Sequence, residues 1–184
     1  AIHLHATLIS SDKFIRKKLG EEIGCNSYSD TLALSAWLGL PNSPDYPERA
    51  NKYLCWEQES IKYGLSVAQE SDSIVMDTSG SVVHLEQSLL LQLKEKFKVI
   101  YLSFEEKQID QVIDTYFSDP KPIIWGDSFT VDNSQSIHDQ IVEAFPRLIA
   151  ARRNAYQQLA HVTVPFEIHR GCRTPQELLS RIGL

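Results

Sequence analysis

Two rhythms of apolar spacing divide the chain. Thr7, Leu8 and Ile9 form a short apolar run that predicts a strand, and Ser10-Ser11-Asp12 supplies helix-capping chemistry before Phe14, Ile15 and Leu19 at helical spacing. A second apolar helix is expected over 31–40, ended by the Pro41 to Asp45 loop because Pro41 and Pro44 forbid continuation. A longer helix is expected from about Glu48 to Ala68. Ser73 to Met76 then predicts a strand running into a turn at Thr78-Ser79-Gly80-Ser81, with a helix around Leu85 to Leu93. Val99 to Leu102 is the clearest buried strand in the pattern. Beyond it the spacing predicts a helix over Glu105 to Phe117 and a loop punctuated by Pro and Gly over 118–133, the kind of segment that serves as a lid. Ile137 to Ala160 is expected to be helical with a break near Pro146, and Val162 to Ile168 to be a strand. Thr174-Pro175-Gln176-Glu177 opens a terminal helix as cap, first-turn proline and acidic first turn.

Strands alternating with helices of this length imply the α/β class, with a mostly parallel sheet flanked by helices on both faces and residues 1–184 in one domain. Ligands of such sheets bind beyond the carboxyl ends of the strands. Asp12, the turn at 78–81 and the loop after Phe117 are therefore the places where a site is expected.

Composition narrows the function. The 184 residues carry 18 Lys and Arg against 24 Asp and Glu, a net charge of -6, which argues against a nucleic-acid partner. Nothing approaches the roughly 20 apolar residues of a membrane span. The 3 cysteines, Cys25, Cys55 and Cys172, are too few and too scattered for a disulfide scaffold or a zinc module, which favours the cytoplasm or another reducing compartment such as a plastid stroma. The histidines show no metal-ligand spacing, so no metal site is expected from the chain itself.

Chemistry enters where polar groups interrupt apolar stripes. Glu57 lies on the inward stripe of the long helix with Leu54 and Ile61, and an unpaired carboxylate there would cost several kcal/mol. It therefore meets a cation, a backbone amide or a cleft. Arg152 shares the inward face of Leu148, Ile149 and Tyr156, where its fork can pair with Glu57 or hold a carboxylate or phosphate. Asp12 is either a plain helix N-cap or a functional carboxylate at a strand's end. Gly80 could bring backbone amides close to a hydroxylated ligand or simply make a turn. Lys121 is either a solvated cation or a lid residue, and Trp125 beside it is the one tryptophan to weigh as a ligand platform.

In chain order these segments resemble the shikimate kinase family of P-loop small-molecule kinases, from Leu8 to about Val164. Lys121-Pro122-Ile123-Ile124-Trp125-Gly126 resembles the family's lid motif R-P-L-L-x-G, and Leu148 through Arg152 to Tyr156 resembles its L-x(3)-R-x-P-L-Y segment. Leu8 to Asp12 is similar to F-x-D-x-D with only the second Asp kept. Tyr53 to Glu57 is similar to F-R-x-x-E with Leu54 in place of the Arg, and Asp77 to Val83 to A-T-G-G-G-x-V with only Gly80 preserved.

The resemblance implies an ATP-dependent phosphotransferase acting on a small hydroxylated metabolite. It gives Asp12 the acceptor hydroxyl, Glu57 and Gly80 places in the substrate site, Arg152 an anionic substituent and Lys121 the phosphates. It also implies ATP and Mg as cofactors only where a P-loop exists, and no Gly-Lys pair occurs in the 184 residues. Ala1 to Ala6 resembles the last turns of the helix that follows that loop, so the family's first strand and phosphate loop are expected upstream of residue 1. The chain as given is expected to have negligible kinase activity. The alternative from another class is a non-catalytic pseudokinase that binds or regulates; a protein partner at the N-terminal edge would supply the missing elements in a third.

Overall fold

A computed structural model describes residues 6–23, 30–70 and 73–183, together with all side chains there except that of Glu106. The fold is mixed α/β and 64% helical, so helices rather than strands build most of the core. In order, the elements are β1 (Thr7–Ser10), α1 (Ser11–Glu22), α2 (Thr31–Leu38), α3 (Tyr46–Glu70), β2 (Ile74–Asp77), α4 (Gln87–Lys96), β3 (Ile100–Leu102), α5 (Ile109–Ser118), α6 (Ile137–Leu159), β4 (Val162–Val164), α7 (Phe166–Gly171) and α8 (Pro175–Arg181). Short 3-10 turns at Val82–His84, Glu106–Gln108 and Gly126–Ser128 link them.

The strands do not form the single sheet expected. β1 pairs with β2 in parallel, Ile9 opposite Met76, and β3 pairs with β4 in parallel, Tyr101 opposite Thr163. Among the described residues these are two separate two-stranded sheets. Val99 to Leu102, the clearest buried strand in the sequence pattern, is only partly covered, and Leu102 is 48% exposed. Leu8 on β1 is 49% exposed while its neighbour Ile9 is 7% exposed, so β1 is covered on one face and open on the other.

Burial is carried by the helices. α1 packs on α3, α3 on α4, and α4 and α5 on α6, forming one continuous layer. Ile15, Leu34, Tyr53, Tyr116, Trp125, Phe145 and Leu148 fill the main core, with Trp125 meeting Tyr116 and Phe145 edge-on at centroid distances of 6.0 and 5.2 Å. A smaller cluster joins Ile61 of α3 to Val82, Leu89, Leu90 and Leu93 around α4.

Local chemistry explains most boundaries. Asp30 caps α2 by accepting the Ala33 N–H at 2.7 Å, and Gly39 at φ 77° closes the helix in a conformation that other residues resist. Thr174 caps α8 through the Glu177 N–H at 3.1 Å, with Pro175 in the first turn as the sequence implies. Three expectations fail. α6 runs unbroken through Pro146, because Val142, whose carbonyl loses its helical partner, lies on the exposed side where water can serve it. The last strand ends at Val164 rather than Ile168, since Pro165 offers no N–H to a ladder and instead starts α7. Ser10, not Asp12, occupies the cap position of α1, which places Asp12 in the positively polarised first turn. Ala1 to His5 and Cys25 lie outside the described residues.

Candidate functional site

β1 and β2 end side by side, Ser10 opposite Asp77, and the segments leaving them converge. β1 runs straight into α1, which sets Asp12 at the strand's carboxyl end. β2 runs into the turn Thr78 to Ser81. Against both lies α6, whose length carries Arg152 and Tyr156 back under that turn, where the Tyr156 hydroxyl donates to the Gly80 carbonyl.

A cavity of about 170 Å³ opens between these elements, lined by Asp12, Arg16, Thr31, Tyr53, Ser79, Gly80, Ser81, Lys121 and Arg152 among others. Four of the five residues singled out by sequence, Asp12, Gly80, Lys121 and Arg152, therefore share one cavity. The fifth, Glu57, sits directly behind its wall at 0% exposure. Its partner is not Arg152. The Ser79 hydroxyl donates to one carboxylate oxygen and the Ser81 hydroxyl to the other at 2.6 Å, while the two hydroxyls lie 2.9 Å apart. Ser60 and Ser11, both fully buried, add a hydroxyl pair at 3.0 Å between α3 and α1.

Burial drives the electrostatics. It pushes the Glu57 carboxyl above its ordinary value, against the pull of the two serine donors and of Arg152. Arg152 is itself held below its usual value by burial, offset by Tyr156 and Glu57. Its guanidinium donates through Nη2 to the Ile124 carbonyl at 2.8 Å, its Nη1 would lie 3.2 Å from a Cβ at Gly80, and its buried Nε has no hydrogen-bond partner. A residue larger than glycine at 80 would crowd the fork. Asp12 is raised by desolvation first and by Asp77 second, with Arg16 opposing. Tyr53, on the cavity wall, is raised chiefly by burial and then by Glu57.

The segment 118–133 is tied to the body near its centre. Tyr46 donates to the Ile123 carbonyl and accepts from the Trp125 N–H, both at 2.9 Å. Trp125, weighed above as a ligand platform, is 1% exposed in the aromatic core and does not reach the cavity. Lys121 does reach it, and pairs with Asp119 at 2.5 Å. Sequence reasoning missed Ser79 and Ser81 as the partners of Glu57. Their signal was present, since a buried carboxylate needs donors and a serine-flanked glycine turn is a ready source of them.

The groups present can grip a small anion through Arg152 and Lys121 and orient hydroxyls against Asp12. Among the described residues no group of three or more His, Cys, Asp or Glu is placed to hold a metal ion, and no helix is long and apolar enough to cross a membrane. No family model, curated protein or solved structure matches the chain.

Proposed function

We propose that this chain is the acceptor-holding part of a shikimate-kinase-like small-molecule phosphotransferase, with a small hydroxylated monoacid as acceptor. One observation carries the reading: Asp12, Gly80, Lys121 and Arg152, which match that family's motifs in sequence, line a single cavity at the carboxyl ends of parallel strands. In this reading Arg152 holds the carboxylate, Asp12 accepts the hydrogen bond of a hydroxyl, and the turn at Gly80 gives the ligand close access to backbone. The cavity's 170 Å³ suits a compact metabolite and falls below the roughly 300 Å³ at which drug-sized pockets begin.

A nucleotide does not fit these residues. The cavity is too small for one, and the chain contains no Gly-Lys pair to cradle phosphates. No step through ATP or Mg is therefore assigned to it. The second reading, a non-catalytic binding domain, is favoured by Leu54, which packs between the two hydrophobic clusters where the family's motif carries an Arg.

The test is a calorimetric titration of the chain with hydroxylated monocarboxylates, uncharged polyols and inorganic phosphate, followed by phosphoryl-transfer assays on the longest natural form. Saturable binding of the monocarboxylates is expected, weakened about 10- to 100-fold by Arg152→Met, the range that loss of a charge-assisted hydrogen bond gives. Because an ionised Asp12 accepts a hydroxyl more strongly than a protonated one, binding weakens as pH falls through its raised pKa, at a higher pH than an ordinary Asp near 3.9 would give. Asp77→Asn lowers that midpoint. Binding without transfer in the longest natural form selects the second reading; no binding of any of the three ligand classes overturns both.

A further inference from the structure

Three contacts between side-chain oxygens close a ring behind the wall of the acceptor cavity: Glu57 Oε1 with Ser79 Oγ, Ser79 Oγ with Ser81 Oγ at 2.9 Å, and Ser81 Oγ with Glu57 Oε2 at 2.6 Å. A contact of that length between two hydroxyl oxygens is a hydrogen bond and needs a proton in it. Each serine brings one proton. With Glu57 ionised, both are spent on its carboxylate, and the two serine oxygens are left lone pair to lone pair. The Tyr53 hydroxyl beside both serines can donate onto the ring from outside, but it leaves the contact between them empty. A neutral Glu57 supplies the third proton and completes the circuit: Glu57 donates through Oε2 to Ser81, Ser81 donates to Ser79, and Ser79 donates back to Glu57 Oε1. The Ser81 N–H, 3.3 Å from Ser79 Oγ, remains a further donor to that oxygen.

We infer that Glu57 is a neutral acid in the ligand-free chain and acts as a positioning residue, leaving the charge of Arg152 uncompensated for an anionic ligand. The groups that face Glu57 are Ser79 and Ser81 from the turn, Asp12 from α1, Arg152 and Tyr156 from α6, and Tyr53 on α3 itself. Arg152 is the charge that favours the carboxylate; burial, the largest influence, and Asp12 oppose it. Tyr53 and Tyr156 are phenols that burial keeps neutral. A ligand carboxylate docking on Arg152 engages the one charge that favours ionisation and adds a negative one, so it tightens the hold of Glu57 on its proton. By reciprocity the proton on Glu57 tightens the ligand. An ionised Glu57 would do the reverse, meeting Arg152 from behind and weakening its grip. The linkage, unlike the proton count, rests on the acceptor-site reading.

Infrared difference spectra between the parent chain and Glu57→Gln, recorded without ligand at about pH 6, read the proton directly: an ordinary Glu, near 4.3, is ionised there, and the protonated-carboxyl band of Glu57 is expected to persist. The amide in Glu57→Gln can set its oxygen opposite Ser79 and its N–H opposite Ser81, the pattern of the neutral acid, so that variant should bind as the protonated parent does. Titrated with hydroxylated monocarboxylates, the parent should lose affinity about tenfold as pH rises through the Glu57 titration, within the usual range of coupling between sites, and Glu57→Gln should keep its affinity there. That loss lies on the alkaline side, opposite to the fall that Asp12 gives in acid. Should Glu57→Gln fold poorly, calorimetry of the parent above the Glu57 midpoint, in two buffers of different ionisation enthalpy, reads the same linkage as proton uptake on binding. Absence of the band, an alkaline loss that survives in Glu57→Gln, or binding without proton uptake overturns the inference and leaves the acceptor site standing. Failure of every monocarboxylate to bind while the band is present overturns the acceptor-site reading and takes the linkage with it.

Discussion

The aromatic core and the slot between β2 and β3, a cavity of about 620 Å³ lined by Val75, Met76, Leu93, Tyr101 and Leu159 among others, are both largely apolar, yet only the first is closed. Trp125 and Phe145 are 1% and 2% exposed, whereas Leu102, on a strand that the sequence pattern marks as buried, is 48% exposed. The core is assembled by α1, α2, α3, α5 and α6 and by the pinned segment at Ile123 to Trp125, all within the described residues. The slot is flanked by β2 and β3 and lined as well by Leu93, Tyr156, Leu159, Leu178 and Leu179. The difference locates the stability of this chain in its helical layer and leaves its sheet contributing little.

The sharpest way to break that comparison is to open the core. Phe145→Ala removes a ring that meets both Trp125 and Tyr116 edge-on, and a fully buried Phe→Ala change costs about 3–5 kcal/mol. At 2–4 °C per kcal/mol for a chain of this size, the melting temperature should fall by roughly 10 °C, read by circular dichroism. A fall no larger than that of a surface change would mean that the helical layer is not where stability resides.

Between the two regions stands Glu57, polar and yet fully buried. Glu57→Ala leaves the Ser79 and Ser81 hydroxyls without their acceptor and opens a small void, a loss of about 2 kcal/mol. Glu57→Gln should cost less, because serine hydroxyls can turn to accept as well as donate. The pH dependence separates the two. The folded-state pKa of Glu57 is raised above its unfolded value, so protonation favours the folded form. That stability is fully present below the unfolded value of about 4.3 and is lost as pH rises through the folded one. Chemical denaturation from pH 4 upward should show the parent chain losing stability relative to Glu57→Gln; parallel curves would place Glu57 in a more polar setting than its burial indicates.

Legibility in the sequence followed the same divide. Elements with local signals were readable: Thr174-Pro175 as a helix start, the long α3, and an inward Glu57 and Arg152 whose stripes are set by 3.6-residue spacing. The meeting of Asp12, the Gly80 turn and the Lys121 loop was readable from the rule that ligands of such sheets bind at the carboxyl ends of strands, whereas Arg152 joined them only through the order of family-like motifs, because spacing within one element says nothing about which elements converge. Glu57 was placed correctly on the inward face, but its serine partners come from a turn about 22 residues away, and no periodicity reports such a contact. The split of the sheet was illegible for a different reason. Val99 to Leu102 has the composition of a buried strand, and composition registers what a segment is suited to pack against, not whether the fold brings such a neighbour to it.

The smallest expected effect is the most discriminating. Leu102→Ser changes an apolar side chain that is already half in water, and in the 184-residue chain it should alter stability by no more than about 0.5 kcal/mol, the range of surface substitutions. A leucine that truly belonged to a finished core would cost about 2 kcal/mol or more to truncate. Measured by urea unfolding, a near-zero change at Leu102 beside a large one at Phe145 upholds the contrast between open slot and closed core.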